Sequence, residues 1–433
     1  MNRFTLRPVS GELFIGREEL LNTLIGELSR MDSAEGFCIY GRRRIGKTSL
    51  LKELERRLRM YDRVVPVYFS FWEVGTLSLK DLVERLSDAI IAAYQEKGLL
   101  KVELSIRKVL GSTKETIARV VSKTKVQVKI EEVEFLLSMR ERPPRDYVPV
   151  FRKVFDMAEK LAEKTETKCV LLLDEFPEIL RIENGLQIVK MLRTAYEDYS
   201  HTALVISGSV RKTMELVVLS EAAPFYRQLL IKRIQPLTRE EVLQFLKKYT
   251  GVEDKRTAEE LYRVTGGVPF YLQWLGRVGG LRKVEEAVEE FIEEEGNVIF
   301  QEEFSKLSGT ERRVIVALAK GKERPAEISR EAGIEINATS AYLKGLIDKE
   351  IVEKVEKGRY RLRDRLFERW ILTVIIEKSL SEKVLDALIE PLSLQELYKL
   401  FPEHTKAGIR STVYRLVNKG LVKRVEKGRY VRL

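Results

Sequence analysis

The chain has 433 residues, enough at roughly 100 to 200 residues per domain for two to four folded units with a sizeable core. Apolar residues make up 44% and charged residues 33%, with 26 Gly, 12 Pro and no low-complexity tract, which excludes collagen-like, mucin-like and wholly disordered chains. The net charge is +11 and unevenly placed: residues 306–433 hold 28 Lys and Arg against 18 Asp and Glu, leaving 49 against 48 for the rest. A surface rich in Lys, Arg and Glu, of the kind hyperthermophiles use, explains the charge density but not this asymmetry. An acidic polymer meeting the C-terminal third does explain it. The cysteines, Cys38 and Cys169, lie inside apolar runs, and His201 and His404 are the only histidines, so neither a disulfide framework nor a zinc enzyme is expected. No apolar run approaches the roughly 18 residues of a membrane span, Trp370 to Ile376 being the best candidate, and the N-terminus has no signal-peptide core. A cytoplasmic protein with no membrane partner is the expectation.

From the start to about residue 235, short β-branched runs alternate with helical periods, the pattern of an α/β fold with an open, mostly parallel sheet. Five strands are predicted: Phe37 to Tyr40, Val64 to Phe71, Cys169 to Leu173, Leu204 to Ser207 and Leu229 to Ile234. Residues 96–146, charged and ending in Arg142, Pro143, Pro144 and Arg145, exceed what a crossover needs and read as an insertion. Residues 236–305 read as a small helical domain opened by the capping box of Thr238 and Glu241. A third region opens on a similar box at Ser308 and Glu311 and contains a repeat: Leu346 to Tyr360 matches Leu416 to Tyr430 at an offset of 70 residues, with VEKGRY identical. Each copy follows a helix-turn-helix pattern and closes in a hairpin turning at Gly358 or Gly428, so residues 306–378 and 379–433 are predicted to be tandem winged helices.

Gly41, Arg42, Arg43, Arg44, Ile45, Gly46, Lys47, Thr48 and Ser49 fit GxxxxGK[ST] between a predicted strand and a predicted helix. The glycines let backbone N–H groups turn inward around phosphates, Lys47 faces the β/γ oxygens, and the Thr48 hydroxyl serves Mg²⁺. The run Cys169 to Leu173 ends in Asp174 and Glu175. Asp174 at the strand tip suits the water shell of Mg²⁺, and Glu175 suits the attacking water, which makes turnover as well as binding expected. Ser207, Gly208 and Ser209 end the next strand, where Ser209 either senses a γ-phosphate or simply belongs to a tight turn. Arg227 fits an arginine finger, in cis or in trans, or a surface ion-pair partner.

Together with Phe14, Ile15, Gly16, Arg17, Glu18 and Glu19, and with Thr265, Gly266, Gly267, Val268 and Pro269, these elements resemble the archaeal ATPase branch of the STAND class of AAA+ P-loop NTPases over about residues 10–300. The resemblance implies ATP with Mg²⁺ as ligands, a parallel-sheet core (residues 1–235), and a helical lid over the base. It also implies that Ile15, Gly16 and Arg17 line the base with Pro269 opposite. The expected whole is a Mg-ATP-hydrolysing switch whose nucleotide state controls the C-terminal modules. In the second module Lys406, Arg410 and Tyr414 recur every fourth residue, against Ile336, Ser340 and Lys344 in the first, so with Arg359 and Arg429 of the wings they are the candidate contacts to duplex DNA. Protein docking or self-assembly in a signalling scaffold, and an initiator-type replication or recombination ATPase, are the alternatives.

Overall fold

The computed structural model describes residues 3–73, 78–100, 146–209, 211–279, 284–401, 406–425 and 428–433. Most of the predicted insertion and the predicted break at Pro402 lie outside these residues. The chain forms two compact units, Met1–Tyr262 with Gly267–Arg277, and Arg263–Gly266 with Val278–Leu433.

The first unit contains α1 (Glu18–Leu28), β1 (Gly36–Tyr40), α2 (Lys47–Leu58), β2 (Val64–Ser70), α3 (Leu79–Glu96), α4 (Val148–Lys164), β3 (Lys168–Asp174), α5 (Gly185–Tyr196), β4 (Thr202–Gly208) and β5 (Leu229–Arg233), then α6 (Arg239–Thr250), α7 (Lys255–Thr265) and α8 (Pro269–Gly279). All five expected strands are present, each within two residues of its expected ends. They form a parallel sheet of order β2-β3-β4-β1-β5. Parallel strands covered on both faces carry apolar side chains at successive positions. Accordingly Val67, Leu171, Leu204 and Cys38 join the core under α3, α4 and α5, while Val64, Leu172, Val205 and Ile39 join the core under α1 and α2. Tyr40 lies opposite Gly208, Ser70 opposite Asp174 and Leu173 opposite Ile206, so the strands end together at one edge. With β4 inserted between β1 and β3, the loops leaving those ends open a crevice there, the position where open α/β sheets bind ligands.

Helix α6 begins with the complete capping box of Thr238 and Glu241. The start of α6 is tied to the turn before α8 by the hydrogen bond from Leu237 N–H to Gly267 O, 2.9 Å. The segment 236–305, one helical domain by sequence, is divided: α6 and most of α7 and α8 belong with the sheet, and the remainder belongs to the second unit.

The second unit contains α9 (Val284–Phe291), α10 (Asn297–Ser305), α11 (Gly309–Ala319), α12 (Pro325–Ala332), α13 (Ile336–Asp348), β6 (Val352–Glu356), β7 (Arg359–Leu362), α14 (Arg365–Trp370), α15 (Glu377–Ala387), β8 (Leu392–Ser393), α16 (Leu394–Leu400), α17 (Lys406–Asn418), β9 (Val422–Val425) and β10 (Arg429–Arg432). The starts of α13, β6 and β7 recur 70 residues later in α17, β9 and β10, the offset of the sequence repeat. Gly358 and Gly428 turn the two hairpins at φ 77° and 75°, a backbone region that glycine enters without steric cost. The first hairpin is two-stranded, and the second is widened by β8 into a three-stranded sheet. The second copy has its own core of Val384, Leu397, Ile409, Val413, Leu416 and Tyr430, which leaves the opposite face of α17 exposed.

Candidate active site

The loop between β1 and α2 turns on two left-handed residues, Arg44 at φ 65° and Gly46 at φ 89°. Such a turn points successive N–H groups the same way and makes an anion-binding concavity, continued by the N-terminus of α2. Lys47 begins that helix and is only 5% exposed. Its ammonium donates to the loop carbonyls of Gly41 (3.0 Å) and Arg42 (3.2 Å) and stands 3.8 Å from Glu175 Oε1.

Asp174, at the tip of β3, is 2% exposed. A carboxylate so buried needs hydrogen-bond donors, and three hydroxyls supply them. Thr48 Oγ1 donates to Oδ2 at 2.7 Å and the Tyr68 hydroxyl to the same oxygen at 3.0 Å. Ser207 Oγ donates to Oδ1. The next residue, Glu175, adopts the left-handed conformation at φ 50°, unusual for a residue with a side chain and typical of sites where geometry is imposed by function. Its Oε2 accepts from the N–H (3.2 Å) and hydroxyl (3.0 Å) of Ser209. Sequence reasoning singled out Ser209 but not Tyr68; the signal for Tyr68 was a hydroxyl inside the otherwise apolar run 64–69.

These groups open on a cavity of about 390 Å³ lined by Arg43, Arg44, Gly46, Lys47, Thr48, Ser49, Glu175 and Ser209 on one side, by Pro269, Phe270 and Gln273 of α8, by Trp72, and by residues 5–9. The N-terminal wall was not anticipated. It is held at one end by Thr5 N–H on Gln273 Oε1 (3.0 Å) and at the other by Val9 N–H on Ser49 Oγ (3.1 Å). Phe4 anchors it by stacking on Tyr249 with 5.1 Å between ring centroids.

Gly41, Arg42 and Ile45 shape the loop without lining the cavity, and neither Ile15, Gly16 nor Arg17 is on its wall. Arg17 works from the other side of the loop, its guanidinium donating to Gly46 O at 3.3 Å and to Ile45 O, while its backbone N–H donates to Glu241 Oε1 at 2.7 Å. Burial lowers the Arg17 pKa to about 10, with the Glu241 carboxylate opposing that shift. The expectation of a cis arginine finger is corrected. Arg227 precedes Leu229, which pairs with Gly36 at the start of β1, whereas the phosphate loop follows Tyr40 at its end. Five strand residues at about 3.3 Å each keep Arg227 from the cavity of its own chain.

A parallel sheet, a glycine-turned anion loop after β1 and the consecutive carboxylates Asp174 and Glu175 at the end of β3 define a P-loop nucleoside triphosphatase. The chain belongs to the family of ATPase domains found predominantly in Archaea, which it matches over residues 14–275, and it is an ATPase. It is similar to an uncharacterized protein of Methanocaldococcus jannaschii, 25% identical over 366 residues, which are 81% of this chain and 66% of that protein; the chain thus spans just under two thirds of that relative. Among solved structures it is similar to a Walker-type ATPase of Pyrococcus abyssi, with a TM-score of 0.62 and 18% identity over 85% of this chain and 99% of that one. The ORC2 protein of Aeropyrum pernix, solved in ADPNP and ADP complexes, gives a TM-score of 0.50 and 16% identity over 84% of this chain and 93% of that one. At such identities the likeness is one of fold.

Proposed function

We propose that the chain is a Mg-ATP-driven switch whose nucleotide state governs two C-terminal winged-helix modules, the second of which binds duplex DNA. The observation that carries this reading is the shared cavity: Pro269, Phe270 and Gln273 of the lid face the same space as Lys47, Thr48, Glu175 and Ser209. A nucleotide filling it touches the catalytic groups and the lid at once. Lys47 exchanges loop carbonyls for phosphate oxygens, and the N–H groups of the loop hold the remaining charge. Glu175, fixed by Ser209, orients the attacking water and receives its proton. Thr48 donates a hydrogen bond to Asp174 and keeps its oxygen lone pairs free, a donor set that suits a hard divalent cation. When bound, Mg²⁺ neutralises charge on the β- and γ-phosphate oxygens. Arg17, which the family resemblance assigns to the base, acts on the loop carbonyls instead.

The DNA reading draws on the two repeats. On α17 Lys406, Arg410, Tyr414 and Asn418 are exposed, as is Lys419 just after it, and Arg410, Tyr414, Asn418 and Lys419 border an open cavity of about 650 Å³. In the first repeat three wing arginines are matched internally: Arg359 with Glu356 (2.8 Å) and with Glu323, Arg361 with Glu353 (2.5 Å), and Arg363 with Glu350 (3.4 Å). Arg429 likewise pairs with Glu396 at 3.2 Å; these carboxylates compete with phosphate for the wing arginines, which favours α17 as the main reader. Steady-state ATP turnover of the full chain, with and without duplex DNA across a salt titration, tests the reading. Stimulation that fades as salt rises is expected, because phosphate contacts release counterions. Turnover and binding that ignore DNA at all salt concentrations refute it and leave a protein-sensing switch.

A further inference from the structure

We infer that Tyr68 is a positioning residue that holds the Asp174 carboxylate for Mg²⁺ and so sets the metal affinity of the site; this rests on Thr48 and Asp174 being the pair that serves the cation.

The sheet order places β3 between β2 and β4, and each neighbour sends one hydroxyl to Asp174. Tyr68 comes from β2 and takes Oδ2 at 3.0 Å, while Ser207 comes from β4 and takes Oδ1. The carboxylate is therefore gripped from both sides by groups that do not line the cavity. The third donor, Thr48, differs: it lies on the phosphate loop's helix and lines the cavity, so its hydroxyl is the one that a ligand reorganises. A carboxylate held by Thr48 alone on Oδ2 would turn with each change at the loop. Held also by Tyr68, it keeps one orientation throughout.

The residue type follows from the register. Ser70 lies directly opposite Asp174, and Tyr68 lies opposite Leu172, two residues earlier on the same face. Only a long side chain leaning along the strand spans that offset. The ring is fixed in turn by Lys52, whose ammonium lies 5.3 Å from its centroid. Lys52 is one helical turn beyond Thr48 on α2, and a cation over a phenol ring also makes the hydroxyl a better donor.

Tyr68→Phe tests this in the full chain. It keeps the ring and its contact with Lys52 and removes the hydroxyl alone. The readouts are the affinity for a fluorescent ADP in EDTA, the same affinity titrated with Mg²⁺, and the affinity of the nucleotide complex for Mn²⁺ by electron paramagnetic resonance. Groups that orient a metal-holding side chain typically change metal affinity by about 10- to 100-fold when lost, so the Mg²⁺ midpoint and the Mn²⁺ affinity are expected to weaken by about tenfold or more. Affinity in EDTA stays unchanged, and saturating Mg²⁺ restores turnover. Lys52→Met is expected to move the Mg²⁺ midpoint in the same direction by a few fold. An unchanged midpoint in Tyr68→Phe, or an equal loss of ADP affinity with and without metal, overturns the inference. Wild-type nucleotide affinity indifferent to Mg²⁺ overturns the underlying metal reading itself, so the two failures are distinct.

Discussion

Replacing Glu175 by Gln is expected to part nucleotide binding from turnover. The amide oxygen can still accept from the Ser209 N–H, and the Ser209 hydroxyl can rotate to accept from the new NH₂ group, so the local frame survives. Two things change. The carboxylate 3.8 Å from Lys47 loses its charge; at an effective dielectric constant near 20 that pair is worth at most about 4 kcal/mol, and the 18% exposure of the Glu175 side chain brings in solvent screening. A third of that ceiling is about 1.4 kcal/mol, equivalent to tenfold in Kd. Because Lys47 must leave Glu175 to meet phosphate, the variant binds ATP as tightly as the wild type or up to about tenfold tighter. Turnover, deprived of its base, falls by about 10² to 10⁴. Equilibrium binding of a fluorescent ATP analogue, paired with single-turnover hydrolysis, reads both quantities. Hydrolysis within threefold of the wild type removes Glu175 from the chemistry, and a tenfold weaker Kd shows that its contact with Ser209 builds the pocket.

Two further expectations concern stability. Gly267 has φ 71°, and a Cβ there would stand 2.1 Å from Leu237 O, whereas Gly266 has φ 58° and open space around it. Left-handed strain costs about 1 to 2 kcal/mol in both, and overlap with backbone adds about 1 to 3 kcal/mol only at Gly267. Gly267→Ala should therefore lower the urea midpoint clearly more than Gly266→Ala, and equal shifts refute the packing described for that corner. Glu53 on α2 is 1% exposed. Burial alone would raise its pKa, but hydrogen bonds from Arg56, Arg57 and the Gly11 N–H outweigh that and bring it to about 2. A depressed carboxyl stabilises the fold above the unfolded value near 4.5 and loses that contribution as pH falls toward 2. Urea midpoints of the wild type should decline over that window, and Glu53→Gln should flatten the decline; parallel curves refute the assignment.

The phosphate loop, Asp174, Glu175 and the five strands could be read from the chain because each is written locally: apolar runs of strand length, glycines at fixed offsets, carboxylates where a run ends. The grip of Tyr68 and Ser207 could not, since it depends on β2 and β4 flanking β3, an order that no single stretch encodes. The same holds for Arg227. Its place beside the last strand suggested proximity to phosphate, and only the parallel register put it at the far edge. Residues 5–9 escaped notice because their contacts to Gln273 and Ser49 use backbone N–H groups, which any sequence would offer. The wing arginines looked available because Glu323 and Glu396 stand more than thirty residues away in the chain. The helical segment after residue 235 read as one domain because amphipathic periods reveal that a helix packs, without revealing against what.

The corner around Glu241 has a mechanical consequence. One oxygen of this carboxylate closes the cap of α6 through Thr238 N–H at 2.8 Å, and the other holds Arg17 N–H at 2.7 Å. Gly16 leaves no room for a Cβ beside it, and Gly267 leaves none beside Leu237. Three distant passages of the chain thus meet without play, and the guanidinium that rests on the loop carbonyls belongs to the same block. In a close-packed joint displacement is transmitted rather than absorbed. The corner behaves as a lever with no backlash: a shift of the Ile45 and Gly46 carbonyls is felt at the first turn of α6. Loosening it by Glu241→Ala would uncouple loop from lid while leaving the cavity wall in place.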